Sequence, residues 1–268
     1  MILKPNARIY SFLVALSAAC FFYTAQAEII LIQENFGGDG TGNLNGTNAD
    51  TFLPAITTAG GNDTWSGRTS FKNNGDLVAG GLLDGTIALS LGSYINAAKN
   101  TATGLFTLNV TMTQPVGGTW VSVGFLTGNN SNANFVFNNG LGTSLHRTND
   151  TGTNYFRGPG TSVAGIDPGV LTGTVTFTTV LDLRPEGGYN GTTNFGTVHF
   201  SNSLGVGGVQ SATFDANQDF NHVGFSYTGA DLVANLSQFQ VTQIPEPSSL
   251  ILMGVALLAV VGLRSRKP

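Results

Sequence analysis

Hydrophobic and polar positions alternate along much of this chain. Phe106, Leu108, Val110 and Met112 alternate with Thr107, Asn109, Thr111 and Thr113, the pattern of a strand with one buried face. Val121, Val123 and Phe125 alternate with Trp120, Ser122 and Gly124, and Val175 and Phe177 with Thr174, Thr176 and Thr178. Later, Val223, Phe225 and Tyr227 alternate with Gly224, Ser226 and Thr228, and Phe239 and Val241 with Gln238, Gln240 and Thr242. Residues 29–32 and 135–137 are shorter strand candidates. Clusters of Gly, Asn, Asp and Ser at 37–40, 73–75, 128–131, 138–140 and 187–191 supply turns, because these residues tolerate positive φ or cap turns with their own side chains. Only 94–99 reads as helical, and it is very short. Half-polar strands in this number predict an all-β fold of two antiparallel sheets packed face to face. A β-solenoid also uses Gly- and Asn-rich strands, but a solenoid needs a fixed period and the Gly clusters keep none.

The pattern changes at both ends. Residues 9–22 form an apolar stretch, preceded by Lys4 and Arg8 and followed by Ala25-Gln26-Ala27. This predicts a signal peptide over 1–27, with cleavage between Ala27 and Glu28. An uncleaved anchor is the alternative, for which the apolar stretch is short. Cys20, the only cysteine, lies in this segment. A lipoprotein reading would want Leu where Ser17 stands, and polar residues where Phe21-Phe22-Tyr23 follow. Cleavage after Ala27 leaves a chain without disulfides or thiolate sites. At the other end, Pro245-Glu246-Pro247 precedes an apolar run over 250–263, and Arg264, Arg266 and Lys267 close the chain. The prolines end any preceding strand. The run reads as a transmembrane helix whose basic end stays on the cytoplasmic side. Three parts result: a signal peptide at 1–27, a β-sandwich body at 28–243, and a C-terminal segment at 244–268.

Composition supports this division. Gly contributes 37 of 268 residues and charged residues only 10%, which excludes helical bundles and charge-driven disorder. The formal charge is −4. The body alone holds six basic and fourteen acidic residues, a net −8. An acidic body disfavours nucleic acid and anionic lipid headgroups as partners.

Catalytic signatures are missing. The body has three glutamates, Glu28, Glu34 and Glu186, with no paired-carboxylate run of the glycosidase kind. Asp182 and Glu186 flank Pro185, and Arg184 is an evident ion-pair partner, so that pair reads as a loop rather than a dyad. His146, His199 and His222 lack metal-ligand spacing. No nucleophile elbow or phosphate loop occurs. Asp39, Asp50, Asp63 and Asp84 do not form a calcium-loop pattern. The expectation is no enzyme, no cofactor and no metal. Trp65, Tyr94, Tyr155 and Tyr189 fall in or beside predicted loops. They are candidate glycan contacts, since aromatic faces stack on sugars, and packing is the alternative for each. Seven Asn-x-Ser/Thr sequons occur in the body, at Asn45, Asn62, Asn109, Asn129, Asn149, Asn190 and Asn235. Asn109 lies mid-strand, which argues against systematic modification there.

The order Pro-Glu-Pro, apolar helix, basic stop closely resembles the PEP-CTERM sorting signal of Gram-negative bacteria. The resemblance implies that an exosortase reads Pro245, Glu246 and Pro247 and removes the tail. Signal peptidase would act at Ala25, Ala27 and Glu28. It further implies delivery to the cell envelope or extracellular matrix, a transient membrane anchor through 250–263, and association with exopolysaccharide. A plain C-terminal anchor is the alternative. Within the body, Glu34-Asn35-Phe36, Leu44-Asn45-Gly46-Thr47, Trp65-Ser66-Gly67, Phe71 to Gly75 and the strands at 106–112 and 120–125 follow in an order similar to laminin-G-like, concanavalin-A-like jelly rolls. That resemblance implies a jelly-roll sandwich over most of 28–243. The function expected is an exported, non-enzymatic envelope or matrix protein. The alternative is a lectin-like, carbohydrate-binding module with a definite glycan ligand.

Overall fold

The computed structural model describes residues 28–36, 42–67, 71–73, 77–79, 85–113, 120–128, 142–149, 154–157, 162–163, 173–214, 216–228 and 235–244. The chain divides into two units: Ile29–Ile244, and Met1–Glu28 together with Pro245–Pro268. Only Glu28 of the second unit is described.

Among the described residues the strands are β1 (Ile29–Glu34), β2 (Gly42–Asn43), β3 (Thr51–Phe52), β4 (Asn62–Gly67), β5 (Phe71–Asn73), β6 (Leu77–Ala79), β7 (Gly85–Ser90), β8 (Leu105–Thr113) and β9 (Trp120–Leu126). They continue as β10 (Gly142–Asn149), β11 (Asn154–Arg157), β12 (Ser162–Val163), β13 (Thr174–Asp182), β14 (Thr197–Asn202), β15 (Gln210–Thr213), β16 (His222–Thr228) and β17 (Asn235–Gln243). Two short helices, α1 (Pro54–Thr58) and α2 (Tyr94–Ala97), and a 3-10 turn at Pro185–Gly187 interrupt them.

The strands form two sheets. The larger runs β15-β14-β13-β8-β17-β6-β5-β2, with β1 against β17 and β3 against β1. The smaller runs β12-β11-β10-β9-β16-β7-β4. The strand pairs are antiparallel. The all-β, two-sheet expectation therefore holds.

Alternation decides which face is buried. On β8, Phe106, Leu108, Val110 and Met112 point inward, while Asn109 and Thr111 are half-exposed. Val175, Phe177 and Leu181 of β13 and Phe239 and Val241 of β17 join them. Ile87 and Leu89 of β7, Val123 and Phe125 of β9, and Val223 and Phe225 of β16 supply the opposing layer of the same core. The layers meet where the Phe225 and Phe239 rings lie 4.9 Å apart.

The five long alternating segments became β8, β9, β13, β16 and β17, and residues 29–32 opened β1. The 94–99 helix is shorter than read, ending at Ala97. The strand candidate at 135–137 and the turns at 37–40 and 138–140 lie outside the described residues. Sequence reasoning missed β4, whose Asn-Asp-Thr-Trp-Ser-Gly carries only one large apolar residue. It is an edge strand with an irregular register against β7, so clean alternation is not required of it.

The first and last strands are neighbours. β1 pairs with β17 so that Ile29 stands opposite Gln243 and Ile30 opposite Thr242. On its other side β17 pairs with β8, Gln243 opposite Phe106. The chain thus enters and leaves the body side by side, at one end of the larger sheet.

Candidate functional site

The exit of the body is anchored by a small polar network. Gln243, the last residue of β17, is buried although it is a glutamine. Its Oε1 accepts from the Tyr94 hydroxyl at 2.8 Å, and its Nε2 donates to the Thr103 carbonyl at 2.7 Å. The Ile244 N–H donates to the Leu105 carbonyl at 3.1 Å. The next residue, Pro245, has no N–H to continue the ladder. Ala25, Ala27, Pro245, Glu246 and Pro247 lie outside the described residues, as does the 250–263 run. Glu28 is exposed and sits directly before β1. Among the described residues no helix is long and apolar enough to cross a membrane.

The four candidate sugar-stacking aromatics do not converge on one platform. Trp65 lies in β4 and is fully buried, so it packs in the core rather than serving as a glycan contact. Its ring stacks 5.5 Å from Phe225 and meets Phe239 edge-on at 5.4 Å. Its Nε1–H donates to Glu34 Oε2 at 3.1 Å, while Glu34 Oε1 accepts the Phe36 N–H at 3.0 Å. Phe36 adopts φ 55°, a left-handed conformation uncommon for a phenylalanine. Three motifs that looked like a family signature meet here. Glu34-Asn35-Phe36 wraps the indole, the Trp65 N–H donates to the Thr47 carbonyl at 2.8 Å, and Asn45 Oδ1 accepts the Gly67 N–H at 2.8 Å. Their common work is to seat Trp65 between the sheets.

Tyr94 is half-buried, packs edge-on against Phe106, and has its pKa raised above the ordinary tyrosine value by burial. Tyr189 is half-buried against Phe195, rings 6.2 Å apart. Its loop is shaped by Asn190, whose Oδ1 accepts the N–H groups of Thr192, Thr193 and Asn194, each at 2.9 Å. Tyr155 lies in β11, and its side chain falls outside the described residues.

The carboxylate pair resolves as an ion pair. Arg184 grips Asp182 as a fork, Nε to Oδ1 at 2.9 Å and Nη2 to Oδ2 at 2.8 Å, the geometry that makes such pairs specific. Glu186 is exposed on the turn beyond. Among the described residues no three His, Cys, Asp or Glu side chains gather as metal ligands. His199 Nδ1 lies 2.7 Å from Ser211 Oγ on the neighbouring strand. His222 Nδ1 lies 2.6 Å from Asn221 Oδ1, and burial lowers its pKa.

Sequence reasoning missed one arrangement. Apart from Asp182 at the end of β13, which is ion-paired with Arg184, the outward positions of β1, β17, β8, β13, β14 and β15 form an uncharged face. It includes Gln33, Gln240, Asn109, Thr111, Thr176, Thr178, His199 and Ser211, placed in register by the strand pairs. Thr178 Oγ1 donates to Asn109 Oδ1 at 2.7 Å, and the Thr111 and Thr176 hydroxyls lie 2.8 Å apart. The Thr and Asn alternation was visible in each strand, but not which strands would be neighbours.

The fold is an antiparallel β-sandwich whose last strand ends at Gln243. The PEP-CTERM protein-sorting motif matches residues 243–267. The motif marks an exported protein sorted through its C-terminal end. No curated protein matches the chain. Among solved structures, the Emp47p carbohydrate recognition domain is similar at 12% identity and TM-score 0.41, covering 75% of this chain and 93% of that one. Peanut lectin is similar at 13% identity and TM-score 0.30, covering 63% and 86%. The alginate lyase Aly36B is similar at 12% identity and TM-score 0.38, covering 84% and 98%.

Proposed function

We propose that this chain is an exported, non-enzymatic protein of a Gram-negative cell envelope or extracellular matrix. In this reading signal peptidase frees Glu28. The 250–263 helix then holds the body at the membrane, with Arg264, Arg266 and Lys267 on the cytoplasmic side. An exosortase acts at Pro245-Glu246-Pro247, and the body, a concanavalin-A-like jelly roll, passes into the exopolysaccharide. One observation carries the reading: the matched sorting motif begins at Gln243, where β17 ends. A processing enzyme therefore meets the motif on chain that leaves the sheet, and can remove the tail without unpicking a strand. Replacing Pro245, Glu246 and Pro247 with alanine in the producing cell tests it. The expected outcome is retention of the full tail in the membrane fraction, where the parent protein loses it. Equal tail removal from both would overturn the reading.

A second reading, a carbohydrate-binding module, is favoured by the uncharged outer face of the larger sheet. Hydroxyls and amides in strand register offer donors and acceptors without the desolvation cost of charges, which suits a neutral polysaccharide. Tyr94, Tyr155 and Tyr189 are the aromatic candidates that this reading retains. A glycan array distinguishes the two. Selective binding that is lost on Asn109→Ala with Gln240→Ala supports the module, and no binding supports the structural role.

A further inference from the structure

Large apolar side chains exposed in this protein are not scattered evenly. Among the described residues they are Ile29, Ile30, Leu204, Val209 and Ile244. Three of the five sit at the end of the larger sheet where the chain enters and leaves. Ile29 is 38% exposed, Ile30 40% and Ile244 39%. Pairing fixes their proximity, since Ile29 faces Gln243 across the β1–β17 ladder and Ile30 faces Thr242. By strand alternation Ile30, Thr242 and Ile244 lie on one face. Leu204 and Val209 belong to the turn between β14 and β15, where Ser203 pairs with Thr176. That turn lies toward the opposite end of the strands, away from the Leu105–Asp182–Thr197 end.

The tether at this end is short. Five residues, 245–249, separate Ile244 from the apolar run at 250–263. Five extended residues span at most about 18 Å. With the tail inserted, the isoleucine end of the body is held within that distance of the hydrocarbon. An isoleucine placed in the boundary between headgroups and acyl chains is stabilised by the same removal of apolar surface from water that drives folding.

We propose that Ile30 and Ile244, which share a face at the paired ends of β1 and β17, form a lipid-facing seat that rests on the bilayer surface while the tail is attached. The proposal rests on the reading of 250–263 as a membrane anchor. The seat holds Pro245-Glu246-Pro247 at the membrane boundary, where an integral-membrane enzyme can reach it. Removal of the tail leaves only two exposed isoleucines on that face, too little to retain the body, so processing also releases it.

The test uses residues 28–268, the chain left after signal-peptide removal and free of cysteine, reconstituted in phosphatidylcholine vesicles. A polarity-sensitive fluorophore is placed at Ile30→Cys or, as a control at the far end, at Val209→Cys. Thermal melting confirms that each labelled chain is folded. The expected result is that both float with the vesicles. Position 30 is blue-shifted and quenched several-fold more strongly by spin-labelled lipid than position 209. Flotation with equal, weak quenching at both positions overturns the seat and leaves the anchor standing. A blue shift at position 30 without lipid quenching assigns the patch to a second copy of the chain, and also overturns it. Failure to float overturns the anchor and the seat together.

Discussion

Glu34 is the residue on which the interior depends most. Its carboxylate is buried and accepts both the Trp65 indole N–H and the Phe36 amide. A buried donor left without an acceptor costs about 1–3 kcal/mol. Glu34→Ala orphans two donors, so it is expected to lower unfolding free energy by about 2–4 kcal/mol. Glu34→Gln, which keeps an acceptor, should cost less. Urea denaturation followed by tryptophan fluorescence measures both. His222 sets a pH dependence. Burial lowers its pKa below the ordinary 6.5, so in the window beneath 6.5 the unfolded chain binds more protons than the folded one. Stability is then complete above that window and falls as pH drops through the lowered folded value. Melting temperature should decline as the pH falls below about 6.5, and His222→Gln should flatten that decline. A sequence gives no warning of Glu34, because its two partners lie 2 and 31 residues away and only the fold brings them together. Trp65 was legible as unusual but not as buried, since a polar edge strand and a loop look alike in a single sequence.

At the scale of elements, β17 organises the larger sheet. It pairs with β8 along its length and with β6 and β1 in turn on its other side. Its alternation of Phe239 and Val241 with Gln238 and Gln240 was readable, as were β8 and β13, because each buries its apolar positions and leaves polar ones half-exposed; β9 and β16 show the same alternation although their polar positions Ser122 and Ser226 are buried too. Strand order was not readable, since antiparallel partners are chosen by long-range packing rather than by local pattern. The same holds for small residues in the other sheet. Gly124, Gly224 and Ala88 stand opposite one another across β9, β16 and β7. A Cβ on Gly224 would lie 2.2 Å from the Ile87 carbonyl oxygen and 2.7 Å from the Ala88 Cα. Backbone cannot yield as a flexible side chain would. Gly224→Val is therefore expected to destabilise by about 1–3 kcal/mol or more through overpacking. A thermal melt that matches the parent would show that the strands separate more easily than their pairing implies.

For the whole molecule, the charge pattern and the pairing of the terminal strands matter most. An acidic body of net −8 lies between two basic ends, and its first and last strands are paired neighbours. The C-terminal signal was legible because sorting motifs are read as extended sequence, and the motif match over 243–267 agrees with it. A ligand was not legible. Trp65, one of the four aromatic candidates for a sugar, packs between the sheets, and the polar outer face exists only once strands from 29 to 243 are assembled. The central claim is export followed by trimming at both ends, and intact-mass spectrometry of the protein recovered from its own cells measures it most directly. The account predicts a chain that begins at Glu28 and lacks the apolar run at 250–263. A mature protein that retains residues 250–268 would contradict it.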